Sequence, residues 1–133
     1  MKYLLDTHTF IWSIAQSNSI PERTRHELRN PGNDVFISAV NLWEISIKTR
    51  LRKIDLGGVT VDSLIELAEE IGFQLIGLSP EEALTYGKLA EDTHFDPFDR
   101  MLIWQAIRRN LTMVSRDSEF EKFVPHGLRL VWG

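Results

Sequence analysis

The chain has 133 residues, 43% of them hydrophobic and 26% charged, with a net charge of −4 and no cysteine. That length suits one domain, residues 1–133, with a proper core; the missing cysteine excludes disulfides, thiolate chemistry and Cys-based zinc sites, and the acidic balance excludes coating nucleic acid by charge alone. No apolar run is long enough to span a bilayer, and Met1-Lys2-Tyr3-Leu4-Leu5-Asp6 meets an acid too early for a signal peptide, so the expected compartment is cytoplasmic.

Lys2-Tyr3-Leu4-Leu5 ends abruptly at Asp6-Thr7, the pattern of a buried strand delivering a carboxylate at its C-terminal end. Thr7 is expected to cap the next helix, whose apolar residues include Phe10, Ile11, Trp12 and Ile14. Ser19-Ile20-Pro21-Glu22 reads as a capping box opening a basic helix through Arg23, Arg25 and Arg29, which Asn30-Pro31-Gly32-Asn33 stops. Val35-Phe36-Ile37-Ser38 is a second strand. From Ala39 to about Lys53, Val40, Trp43, Ile47 and Leu51 form a helical stripe. Glu44 lies in the first turns of that helix. Lys48, Arg50, Arg52 and Lys53 crowd its far end, where they complement the helix dipole or offer a surface to phosphates.

A further helix is expected from Val61 to Ile71, ended by Gly72, and a third strand over Phe73–Leu78. Ser79-Pro80-Glu81-Glu82 combines an N-cap, a proline at N1 and a glutamate at N3; its helix runs through Ala90 to a loop holding His94. The next helix opens at Asp96-Pro97-Phe98-Asp99, with Asp96 at the N-cap and Asp99 at N3, and runs to Asn110. Leu111–Ser115 is a fourth strand ended by Arg116-Asp117. Ser118 caps a short helix through Phe120 and Phe123, and Leu128–Trp132 is a fifth strand. This alternation predicts an α/β fold, a three-layer sandwich whose mostly parallel five-stranded sheet is flanked by helices.

In such folds, sites form outside the C-terminal ends of the strands. Asp6 follows the first strand and Asp117 the fourth, Asp99 opens the helix feeding the fourth, and Glu44 lies just beyond the second. Each acid alone has a structural explanation as a turn residue, a helix-surface acid or an N-terminal helix acid. Together, four carboxylates need a compensating cation. Oxygen ligands without histidine or thiolate select Mg²⁺ or Mn²⁺ over zinc, and two such ions would clamp a phosphodiester and activate water.

Four stretches carry a family likeness: Leu4-Leu5-Asp6-Thr7-His8 with Trp12, Ser38-Ala39-Val40-Asn41-Leu42-Trp43-Glu44-Ile45, His94-Phe95-Asp96-Pro97-Phe98-Asp99-Arg100-Met101-Leu102, and Val114-Ser115-Arg116-Asp117. In order and content they resemble the motifs of PIN-domain ribonucleases, above all the toxin component of VapBC-type toxin–antitoxin pairs. The resemblance implies a Mg²⁺- or Mn²⁺-dependent endoribonuclease, cleaving RNA through a metal-activated water to leave a 5′-phosphate and a 3′-hydroxyl. It implies Asp6, Glu44, Asp99 and Asp117 as the catalytic and metal-binding quartet, with Asp6 and Asp99 the commonest direct ligands. The partners it implies are an RNA substrate, a cognate antitoxin laid across the acidic cleft, and a second copy in a homodimer. Ser115, Arg100 and Lys48 are candidate substrate contacts, with pairing to a neighbouring acid as the alternative for Arg100. Asp96 is assigned to the helix cap, with membership of the metal site as its alternative, and His94 to structural hydrogen bonding. Phe10, Trp12 and Ile14 are assigned to the core or, where exposed, to a partner surface.

Two other classes fit the pattern in part. A catalytically silent PIN-like module that binds RNA or protein would be marked by the loss of one acid, and the quartet is intact. A Mg²⁺-dependent phosphatase-type or phosphoacceptor domain needs a lysine near a later strand end, where this chain has none.

Overall fold

Strand alternation decides the architecture. In the computed structural model, which describes residues 1–133, Tyr3 and Leu5 of β1 (Lys2–Leu5) pack on one face of the sheet and Leu4 on the other. In β2 (Asp34–Ser38), Val35 and Ile37 join the first face and Phe36 the second. Strands that are apolar on both faces must be covered on both. The first face is covered by Phe10 and Ile11 of α1 (Thr7–Ala15), Leu28 of α2 (Glu22–Arg29), and Leu64 and Ala68 of α4 (Leu64–Ile71). On the second, Leu102, Ile103 and Ala106 of α6 (Pro97–Arg109) pack with Phe120 and Phe123 of a 3-10 segment, Ser118–His126. Two further helices, α3 (Ala39–Arg50) and α5 (Pro80–Thr85), flank α6.

The result is the expected three-layer α/β sandwich, with a sheet that is parallel throughout. Its order is β3-β2-β1-β4-β5, where β3 is Gln74–Ile76, β4 Thr112–Val114 and β5 Arg129–Val131. No helix is long and apolar enough to cross a membrane.

Several element ends differ from the expected ones. Asp6, not Thr7, caps α1: its Oδ1 accepts from the Thr9 N–H at 2.9 Å, which frees the Thr7 hydroxyl. The box at Ser19 does not form, because Ser19 lies in a 3-10 turn and the N-cap position of α2 is Pro21, whose side chain has no acceptor. α3 stops at Arg50, and the chain turns through Arg52 at a left-handed φ of 58°. The expected Val61–Ile71 helix begins as a 3-10 turn (Val61–Ser63), and the helix opened by Pro80 gives way at Tyr86 to another. Asp117, not Ser118, caps the last helical segment.

Candidate metal centre

Strand order reverses beside β1, with β2 and β3 on one side and β4 and β5 on the other. At such a switch point the connections leave in opposite directions, and a crevice opens beyond the carboxyl ends of the strands. Asp6, the start of α3 and Asp117 all follow strands that end there.

The start of α6 brings two acids into one turn. Asp96 Oδ1 accepts from the N–H groups of Phe98 (2.9 Å) and Asp99 (3.0 Å), a helix cap that satisfies two orphan donors. The start of α3 supplies a third. Ser38 and Asn41 form a capping box, and Asn41 Nδ2 also donates to the Leu5 carbonyl (3.2 Å) and to Thr7 Oγ1 (3.1 Å). The Thr7 hydroxyl in turn donates to Glu44 Oε1. Glu44, only 3% exposed, is therefore positioned by a buried relay from the end of β1.

Glu44, Asp96 and Asp99 each present a carboxylate oxygen, all within 4.8 Å of one another. Lys48, one turn beyond Glu44, pairs with it, and its Nζ lies 4.0 Å from Asp96 Oδ2. His94 Nε2 stands 3.0 Å from Asp99 Oδ2, with its ring set edge-on to Phe120 and Phe123. Burial, then the neighbouring charge of Asp96, push the Asp99 acid up to about 6; His94 opposes this and Glu44 adds to it. Burial disfavours the Lys48 ammonium, but Glu44, with Asp96 and Asp99 behind it, outweighs burial and raises its pKa.

Asp6 is held differently. Burial raises its pKa, while hydrogen bonds from Ser115 Oγ to Oδ2 (2.5 Å) and from Thr9 pull it back. Ser115 Oγ also accepts from the Asp117 N–H at 3.0 Å, and Asp117 Oδ1 accepts from the Glu119 N–H at 2.9 Å. Asp6 and Asp117 share an open cleft with His8, Trp12, Arg116 and Ser118. The sequence quartet thus falls into two groups: Glu44 and Asp99 converge with Asp96, while Asp6 and Asp117 line a neighbouring cleft. Thr7, next to Asp6 in the chain and bonded to Glu44, joins the two.

Each of the three candidate substrate contacts has partners within the protein. Ser115 is 3% exposed and its hydroxyl is engaged with Asp6 and Asp117, so it positions these acids. Arg100 turns into the loop before α6, donating to the carbonyls of Leu89 (2.8 Å), Glu91 (2.5 Å) and His94 (2.9 Å) and pairing with Glu91. Lys48 faces the carboxylates, away from the basic end of its helix. Phe10 is core, and Trp12 is half-buried between His8 and Trp132. Asp96 caps its helix as expected and also joins the acidic cluster. A clue to that second role was its spacing: acids at the N-cap and N3 lie in one turn.

An all-oxygen donor set of this span, around an acid whose ionisation the neighbouring negative charge opposes, fits a hard divalent cation such as Mg²⁺ or Mn²⁺.

A family model described as PIN domain matches residues 3–124. The chain belongs to the PIN domain family. Solved structures share this PIN fold over nearly full length. VapBC2 from Rickettsia felis, bound to a DNA fragment from its promoter, matches at 21% identity and a TM-score of 0.73, covering 100% of both chains. VapBC-1 from nontypeable Haemophilus influenzae matches at 20% identity and a TM-score of 0.66, covering 98% of this chain and 97% of that one. FitAB bound to an IR36 DNA fragment matches at 17% identity and a TM-score of 0.62, covering 98% and 94%. No curated protein sequence matches the chain.

Proposed function

We propose that residues 1–133 form one nuclease domain, a Mg²⁺- or Mn²⁺-dependent endoribonuclease that is the toxin of a type II toxin–antitoxin pair. The observation that carries this reading is the convergence of Glu44, Asp96 and Asp99 beside Asp6, at the carboxyl edge of a PIN-family sheet. Asp99 and Asp6 would be direct metal ligands, with Glu44, Asp117 and Asp96 completing the shell. A bound divalent ion supplies charge neutralisation at the phosphate and a lowered pKa for the attacking water. Glu44, oriented by Thr7, would orient the attacking water or take its proton. Attack at phosphorus would break the bond to O3′, which takes a proton from solvent and leaves as the 3′-hydroxyl, and the downstream strand keeps the 5′-phosphate.

Exposed Arg116, on the rim of the Asp6–Asp117 cleft, contacts the RNA backbone. Lys48 is the second candidate phosphate contact. The likeness to VapBC2 and VapBC-1 supports a cognate antitoxin partner; an antitoxin laid across the acidic cleft, a homodimeric toxin and a cytoplasmic setting belong to the same proposal.

RNA cleavage by the purified protein with Mg²⁺ or Mn²⁺, with EDTA, and with the Asp6→Asn and Asp99→Asn variants tests the proposal. The expected result is cleavage abolished by EDTA and by either substitution, with circular dichroism unchanged. Cleavage that persists in both variants would sink it.

A further inference from the structure

The Lys48 ammonium pairs with Glu44, lies 4.0 Å from Asp96 Oδ2 and stands 5.6 Å from the centre of the Phe98 ring. A lysine in the last turn of a helix ordinarily serves the carbonyl end of the dipole. Lys48 instead reaches back one turn to Glu44, while its neighbours Arg50 and Arg52 remain exposed. The carboxylates it touches belong to the cluster a divalent ion would need. Three carboxylates this close repel one another unless positive charge lies among them, and a compact ammonium on a flexible stem can supply that charge and also withdraw.

We propose that Lys48 is a built-in competitor for the metal: it neutralises Glu44 and Asp96 when no ion is bound, and it leaves them when an ion binds. This rests on the metal-dependent reading of the site given above. The exchange couples two events. The ion that enters releases an ammonium at the rim of the cluster, where the phosphate of an incoming RNA would meet it.

The test is Mn²⁺ binding to the metal-free protein by isothermal calorimetry, comparing wild type with Lys48→Met and Lys48→Arg. The thermal midpoint of each EDTA-treated protein is measured alongside. Lys48→Met is expected to bind Mn²⁺ more tightly, on the order of tenfold, and to melt lower than wild type without metal. Lys48→Arg, which keeps the competing charge, is expected to stay near wild type. If wild type binds Mn²⁺ and Lys48→Met binds it equally or more weakly, Lys48 merely orients Glu44 and the proposal fails while the metal site stands. If none of the three proteins binds Mn²⁺, the metal-dependent reading and this proposal fall together.

Discussion

The first and last turns of α6 each meet a carboxylate from a sheltered environment, and the two are tuned in opposite directions. At the last turn, Arg109 donates to Glu82 through Nε and Nη2, both at 2.7 Å, while Gln105 (3.1 Å) and the Ser79 N–H (2.9 Å) add further donors. Burial works against ionisation there, but Arg109 and these donors outweigh it and draw the acid down to about 2. At the first turn, Asp99 has His94 as its partner and faces Asp96 and Glu44, and its acid rises to about 6. An acid surrounded by donors is held for structure. An acid surrounded by other acids has been left in need of positive charge, the mark of a working site.

Removing each acid should separate the two roles. The largest effect expected is on catalysis: Asp99→Asn lowers RNA cleavage by about 10³-fold or more, whereas Glu82→Gln leaves the rate per folded molecule near wild type. Single-turnover assays on matched folded fractions check both. Stability should reverse the ranking. Glu82→Gln is expected to lose about 2 kcal/mol in urea unfolding, because the charge-assisted bonds from Arg109 are weakened in a sheltered setting. Asp99→Asn without metal should hold or gain stability.

Ser115→Ala, which frees one oxygen of Asp6, is expected to reduce cleavage about tenfold with the fold retained, by loosening a proposed metal ligand from its support. Acidity sharpens the comparison further. The folded-state pKa of Asp99 is raised from 3.8, so the folded protein holds that proton more tightly than the unfolded chain does. Its ionisation therefore destabilises the metal-free protein progressively as pH rises from 3.8 through about 6, and the penalty persists above that. Glu82, lowered from 4.5, contributes stability that is complete above 4.5 and fades as pH falls toward about 2. Urea midpoints measured in EDTA should show the first slope vanish in Asp99→Asn and the second in Glu82→Gln. The smallest effect belongs to the exposed Arg108–Glu81 pair on the same face, where Glu81→Gln should change stability by less than about 0.5 kcal/mol.

Local grammar made much of this legible. The N-cap, proline and N3 pattern at Asp96-Pro97-Phe98-Asp99 and the strand ends at Asp6 and Asp117 are encoded by neighbours in sequence, and each lies where that pattern puts it. What stayed hidden depends on contacts across the fold. The bond from Thr7 to Glu44 spans 37 positions and that from Ser115 to Asp6 spans 109, and no periodicity reports such a distance. Arg100 follows Asp99 in a specific motif, and its charge suits either a substrate phosphate or a neighbouring acid; it pairs with Glu91. Its other partners are backbone carbonyls of a loop whose course the sequence does not reveal. The pairing of Lys48 with Glu44 was hidden for a different reason: four basic residues together suggest one surface, whereas the Glu44–Lys48 spacing of four points this lysine back at the acid.

The bond from Ser115 to Asp6 has a consequence for synthesis on the ribosome. β1 is made before the other four strands and lies at the centre of the sheet, but its neighbour β4 arrives more than a hundred residues later. Until Ser115 and Asp117 have cleared the exit tunnel, Asp6 lacks its donor and the cleft lacks a wall. A nascent chain therefore carries Asp6, Glu44, Asp96 and Asp99 before the wall of the cleft exists, and assembly of the cleft waits for β4 and the residues that follow it.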